Sequence, residues 1–277
     1  MKSNRAEVEI VRISGALFVA LLLMVVFSHP GMAQDPQSAP TSVSYSETYC
    51  SGFVGEGEVT RVGEVLGAEE GMKKNELAAG DLIYLGNGTM SNYQRGQEVF
   101  IIRPLRSIRN VGTLFDDIAH ARIVDVHENV LVGEITFSCQ SVNAGDWVIP
   151  PQSRLSPPEG PAGPLDRFAP STGKAEGRII DSKLLMLQLG QGSVVYLNVG
   201  TNQGVQVGAT MRIFRPASEG SVNDFNRDVY RKAARAARFP RQILGDCVVL
   251  HAEENSSTAI ITKSREEMTV GDRVELR

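Results

Sequence analysis

Beyond residue 33 the chain offers few side chains suited to chemistry: His120, His127 and His251, Cys50, Cys139 and Cys247, a few adjacent acids, and Trp147. Metal ligation needs donors at fixed spacing, and neither His-x-x-x-His nor Cys-x-x-Cys occurs, so a metal site has little support. No serine sits in a Gly-x-Ser-x-Gly elbow. Gly86-Asn87-Gly88 and Gly190-Gln191-Gly192 are turns with no lysine or helix following, which is not how a phosphate is cradled. The acid pairs Asp116-Asp117, Glu69-Glu70 and Glu253-Glu254 read as solvated charge in polar loops or turns. No catalytic residue, metal ligand or cofactor is expected.

The cysteines depend on compartment. Lys2, Arg5 and Arg12 precede the uncharged apolar run Ile13–Phe27, Pro30 breaks it, and Gly31-Met32-Ala33 supplies the small residues of a cleavage site. The expectation is a Sec signal peptide over 1–33, cut after Ala33, and a periplasmic or secreted product. The alternative is an uncleaved anchor, the one route to a membrane in this reading, although the run is short for a span of about 20 residues. In an oxidising compartment Cys50 and Cys139 are expected to form a disulfide that ties the start of one module to a late strand. Cys247, followed by Val-Val-Leu, reads as a small buried strand residue.

Removing 1–33 leaves 25 Lys+Arg against 30 Asp+Glu, a net charge of −5 without a nucleic-acid footprint. Charge is concentrated in one place, Asp224–Gln242 (DFNRDVYRKAARAARFPRQ). This is the best helix in the mature chain, with Asn223 or Asp224 as cap and Pro240 as stop. Its Arg231, Lys232, Arg235 and Arg238 are candidate contacts to an acidic partner, such as anionic lipid headgroups, a cell-wall polymer or an acidic protein patch. The simpler reading is an amphipathic helix over a barrel opening, with Tyr230, Ala234, Ala237 and Phe239 turned inward. Trp147, after a Gly-Asp turn, is a candidate for stacking on a sugar ring, with packing at a barrel edge as the simpler reading.

These residues sit on a duplicated scaffold. Gly80–Pro104 lies over Gly192–Pro216 without a gap, and ten of 25 positions are identical, among them Tyr84/Tyr196, Gly96/Gly208, Ile101/Ile213 and Arg103/Arg215. A second block, Ile118–Val148 over Leu244–Val274, matches at Asn129/Asn255, Ile135/Ile261, Asp146/Asp272 and Val148/Val274. Apolar runs of four to eight residues between turn residues, Lys183–Leu189 among them, predict an all-β fold. The expected architecture is two tandem small β-barrel modules of six or seven strands, over 50–150 and 177–277, with one short helix inserted in the second. A Pro/Gly-rich linker, 151–176, joins them as a stiff spacer, and 34–49 forms a flexible leader. The loops 86–97 and 198–209 and the insertion 217–243 are expected to form the contact surface.

Through LNVGTNQGVQVGATMRIFRP, ILGDCVVL, STAIIT and VGDRVEL, residues 180–277 resemble the C-terminal β-domain of flagellar assembly protein T. Residues 80–148 resemble it more loosely. The pattern is also similar to that of exported bacterial envelope proteins, some of which carry LysM peptidoglycan-binding modules. The resemblance implies a non-enzymatic periplasmic module acting as a scaffold or adaptor. Its partner would be an envelope protein or a cell-wall polymer; the alternative is a peptidoglycan or glycan binder using Trp147 or Tyr84/Tyr196.

Overall fold

A computed structural model describes residues 43–57, 59–69, 76–154, 163–219 and 226–277. The signal segment, the cleavage site at Ala33 and the helix caps Asn223 and Asp224 lie outside them. The described chain belongs to one compact unit, Pro40–Arg277. It is all-β, with thirteen strands and two α-helices among the described residues.

After α1 (Tyr45–Tyr49) and β1 (Phe53–Gly55), the first module comprises β2 (Gly63–Ala68), β3 (Leu82–Gly86), β4 (Glu98–Ile108), β5 (Gly112–Val126), β6 (Leu131–Ser138) and β7 (Trp147–Ile149). These six pair in the order β5-β4-β7-β2-β3-β6, and β6 returns to β5 to close the ring; β1 pairs with Thr113–Phe115 of β5, ahead of the stretch that β6 takes. The second module comprises β8 (Glu176–Ser182), β9 (Val194–Leu197), β10 (Thr210–Arg215), β11 (Gln242–Ala252), β12 (Ser257–Ser264) and β13 (Arg273–Leu276). Its ring, β11-β10-β13-β8-β9-β12, has the same order, strand for strand. A closed ring leaves no unpaired edge, and small barrels are filled by their own side chains. Leu85/Leu197, Ile101/Ile213, Ile135/Ile261 and Val148/Val274 supply matched core positions in the two barrels.

The polar matches have a physical cause as well. Arg103 Nε and a terminal amine lie 2.7 and 2.8 Å from the Asp146 carboxylate, and Arg215 and Asp272 repeat the arrangement at 2.7 and 2.6 Å. Each aspartate also accepts the amide three residues back, from Asn143 or Thr269, both at 2.8 Å. The repeat therefore preserves a clamp between β4 and β7, or β10 and β13, at the turn into the last strand. Its hydrogen bonds to aspartate raise the guanidinium pKa values of Arg103 and Arg215. Gly96 and Gly208 share left-handed φ values of 90° and 83°. Gly200 does not share the positive φ of Gly88; there, any Cβ would strike the Glu253 carbonyl.

Three expectations need correction. Residues 43–49 of the expected leader are ordered, because Ser44 and Glu47 form a reciprocal capping box that starts α1, and Val43 packs on Leu250 and Ile260 of barrel 2. The described parts of 151–176 are extended but docked, not free spacers. Ile243 donates to the Arg167 carbonyl at 2.8 Å, Ala169 packs against Phe214 and Ile243, and Glu275 receives Arg241 at 2.8 Å and Ser171 at 3.2 Å. Burial alone would raise the Glu275 carboxyl, but Arg241 and these hydrogen bonds more than offset it and hold it low. Finally, Lys183–Leu189 is not a strand: only Leu189 makes a bridge, to Met268, and Leu184–Leu187 form an exposed loop.

Candidate functional site: the seam between the barrels and the basic helix

The barrels meet directly. On barrel 1 the contact is the segment 51–56, whose carbonyls face the outer surface of β9 and β12. Tyr196 donates its hydroxyl to the Ser51 carbonyl at 2.9 Å, Thr258 to Gly52 at 2.9 Å and Ser256 to Val54 at 2.9 Å. The amide of Asn255 reaches the Glu56 carboxylate at 2.7 Å. Tyr196 is 1% exposed and packs with Val54 and Leu114, so its ring has no face left for a sugar; burial pushes its phenol pKa strongly upward. Arg106 joins Asp181 across the seam at 2.7 Å.

Asp116 and Asp117, expected in a solvated connection, lie inside β5 and are buried. Residues 105–117 form the far half of the long β4–β5 hairpin, which turns at Asn110 with φ 60°. Asp117 holds the Arg154 guanidinium at 2.6 and 2.8 Å and accepts the Gly52 amide at 2.8 Å. Asp116 takes Gln140, with Lys183 of barrel 2 at 3.7 Å. Lys183 also donates to the Cys50 carbonyl. These groups bind one another rather than a substrate. Each carboxylate faces a cation or an amide, and the arrangement fastens the two barrels and the linker to one another.

His120 lies beside this seam, stacked on Phe100 with ring centroids 3.7 Å apart and interplanar angle 3°. Burial pushes its pKa down, against the pull of Asp117, to about 4 from 6.5. A base whose folded pKa lies below its unfolded value stabilises the fold above the unfolded pKa and loses that contribution as pH falls between the two. Stability is therefore expected to decline from pH 6.5 toward 4, by about 3 kcal/mol at most. Urea unfolding at stepped pH is the check: His120→Gln should flatten this limb, and an unchanged limb would contradict the assignment.

The remaining predicted residues are well separated. Cys50 and Cys139 form the expected disulfide, with Cα atoms 5.5 Å apart. Cys247 is buried on β11, and burial, with Asp246 beside it, raises the thiol pKa. It is a core residue, not a nucleophile. His251 contacts Glu253 at 2.8 Å, and no group of three or more metal-ligating side chains occurs among the described residues. Trp147 belongs to barrel 1, where it lies 5.6 Å from Phe115 and under the Arg61 guanidinium at 5.1 Å, which covers a ring face.

Arg231, Lys232 and Arg235 stand on α2 (Arg227–Ala236) and Arg238 just beyond it, in the β10–β11 connection of barrel 2. The helix is shorter than the periodicity suggested: it ends at Ala236, and Arg238 turns the chain at φ 49° before Pro240. It rests on the 3₁₀ turn Ala217–Glu219, with Ala234 its one buried residue. Tyr230 meets Phe239 edge-on at 5.9 Å, whereas Ala237 and Phe239 are exposed. Glu219 beneath is taken up by Arg273 and Arg178, whose hydrogen bonds hold its pKa low. Arg231, Lys232, Arg235 and Arg238 have no ion-pair partner among the described residues. A ten-residue helix with one buried side chain has little tertiary support of its own.

The two remaining loops differ. Loop 86–97 borders an open groove of about 320 Å³ with His127 and Asn129 on its other wall. Loop 198–209 is closed onto the 253–255 turn by Thr201 and Asn202 amides at 2.8 and 2.9 Å. No family model and no curated protein matches this chain.

Proposed function

We propose that this chain is a non-enzymatic, exported adaptor of the bacterial cell envelope, acting through surface contacts made by the basic helix of barrel 2. The observation that carries this reading is the placement of Arg231, Lys232, Arg235 and Arg238. They stand on a helix exposed almost all round, with a single acid, Asp228, among them. The buried acids and cations elsewhere are consumed in holding the barrels together, which leaves this helix as the strongest unspent charge. The disulfide accords with an oxidising compartment. The likeness of residues 180–277 to the C-terminal β-domain of flagellar assembly protein T supports an envelope role without specifying a partner. The glycan-binding alternative is weaker, since Tyr196 is buried and Trp147 is covered by Arg61.

The test is retention on envelopes. The parent chain should co-sediment with isolated bacterial envelopes and be released by salt, because exposed charges are screened within about 8–10 Å at physiological ionic strength. A variant with Arg231, Lys232, Arg235 and Arg238 all changed to glutamate should stay in the supernatant. Equal retention of parent and variant would refute the role assigned to α2.

A further inference from the structure

Connections alternate between the two ends of an all-antiparallel ring. The β8–β9, β10–β11 and β12–β13 connections of barrel 2 therefore share one end, and the β9–β10 and β11–β12 connections share the other. The seam to barrel 1 uses the outer wall and the β11–β12 turn, and at the opposite end only Lys183, at the base of the β8–β9 connection, reaches across to it among the described residues. Helix α2, in the β10–β11 connection, thus projects from the same end as the loop Leu184–Leu187.

That loop is the most exposed apolar feature among the described residues. Leu184, Leu185, Met186 and Leu187 are 74, 65, 47 and 89% exposed. Its base is fixed: Leu189 and Met268 exchange backbone hydrogen bonds at 2.8 and 3.0 Å, and Leu189 is buried. Barrel 1 repeats this bridge at Leu77 and Val142. The tip is what differs, since the corresponding connection of barrel 1 carries Glu69, Glu70, Lys73, Lys74 and Glu76. The apolar tip is thus a property of the second copy and not a requirement of the fold. Soluble surfaces rarely leave four consecutive large apolar side chains uncovered.

We propose that this end of barrel 2 docks on an anionic lipid surface. The Leu184–Leu187 loop enters the acyl region, and Arg231, Lys232, Arg235 and Arg238 lie against headgroup phosphates. Two arguments favour lipid over a folded partner. Four successive side chains around a turn, with Leu185 at φ 52°, radiate from the backbone; a fluid surrounds such a tip, whereas a protein would have to offer a matching pocket. The adjoining charge is also of the sign that anionic headgroups attract. Among the described residues the acids on this end do not cancel it: Glu219 is paired with Arg273 and Arg178, Glu266 with Arg167, Glu47 beside Gln191 is engaged in the capping box of α1, and Asp228 and Glu267 remain. The compact unit begins beside the same end, where Val43 packs with Val194, the first residue of β9. This proposal rests on the reading of α2 as the contact surface and names its partner.

The experiment uses the chain from Gln34 onward, which retains the whole compact unit. Binding is measured by co-flotation with vesicles containing phosphatidylglycerol and with vesicles of phosphatidylcholine alone. Tight, salt-sensitive binding to the anionic vesicles is expected. Leu184→Ser/Leu187→Ser should weaken it by about 100-fold or more, the effect of withdrawing two leucines from an apolar phase. Lys232→Glu/Arg235→Glu should abolish the preference for anionic lipid. Leu187→Trp in a Trp147→Phe background should be quenched by lipids brominated on the acyl chain. Absence of vesicle binding at low salt would overturn the proposal. Envelope retention that persisted in that case would leave α2 as a contact and assign this end to a protein or a polymer. Unchanged binding by the leucine variant, or an unquenched tryptophan, would remove the loop from the membrane.

Discussion

Replacing Arg154 with alanine is expected to cost about 3–5 kcal/mol of unfolding free energy, the penalty for leaving one member of a buried ion pair without the other. For a chain of this size that is about 6–20 °C in the thermal midpoint. The side chains of Arg154 and Asp117 are 2% and 7% exposed. Their pairing is two-pronged, at 2.6 and 2.8 Å, and Arg154 also donates to the Thr48 carbonyl at 3.2 Å and lies 5.8 Å from the Phe53 ring. After truncation, the carboxylate keeps the Gly52 amide but loses its counter-charge in a site closed to water. The same change removes the side-chain hold on Thr48 of α1 and leaves α1 tied to residue 154 only through its backbone. The Tyr49 hydroxyl is held by the backbone of Arg154 at 3.2 Å, and Arg154 stands at the start of the linker. Arg154→Lys should recover part of the loss, since it restores charge but not the fork. Arg154→Met combined with Asp117→Asn should be milder than Arg154→Ala, because no charge is stranded. Differential scanning calorimetry checks all three, and a loss below about 1 kcal/mol in Arg154→Ala would refute the account.

This ion pair also marks where sequence reasoning stops. The two barrels were legible because turns and core positions repeat with the same spacing in both copies, and spacing is a local property of the chain. Even the clamp was partly visible, since Arg103/Arg215 and Asp146/Asp272 appear among the matches. The seam has no counterpart within either copy. Asp117 aligns with Ile243 through the shared strand registers, Arg154 lies in a proline-rich segment, and their contact spans 37 residues with no periodic signal. Residues 105–117 carry no strand signal, because Pro104 and the polar Arg106, Ser107, Arg109 and Asn110 break the apolar run and Leu105, Ile108, Val111 and Leu114 recur every third residue instead of every second. The helix was legible by its alanines and arginines. Its exposure was not, because amphipathic spacing predicts a buried face whether or not the fold supplies a surface to bury it. Leu184–Leu187 misled for the same reason: hydrophobicity indicates burial until the topology places the segment at a barrel end. The Ser44–Glu47 capping box, by contrast, was present in the sequence as a local signal for order in the supposed leader.

Removing the disulfide, with Cys50→Ser and Cys139→Ser together, is expected to cost about 4 kcal/mol, the loop-closure entropy released to the unfolded chain. The sequence separation of the two cysteines is 89 residues, so the closed loop holds most of barrel 1. Its position gives the loss a further consequence. Cys50 immediately precedes the 51–56 segment that carries the seam, and its own carbonyl receives Lys183 from barrel 2. Amide exchange should therefore quicken along 51–56 and at 256–258 on the facing barrel, not only around Cys139. Quickening confined to the Cys139 end would mean that the bond staples barrel 1 alone. Arg154 and the disulfide restrain the same stretch from opposite sides, one through Thr48 and through the Asp117 carboxylate that receives the Gly52 amide, the other through Cys50. Contributions of neighbouring restraints are not additive. Once either is removed the segment is already partly released, and the second has less order left to maintain. The combined variant should thus lose less than the sum of the two separate losses. An exact sum would indicate that the two restraints act on independent parts of the molecule.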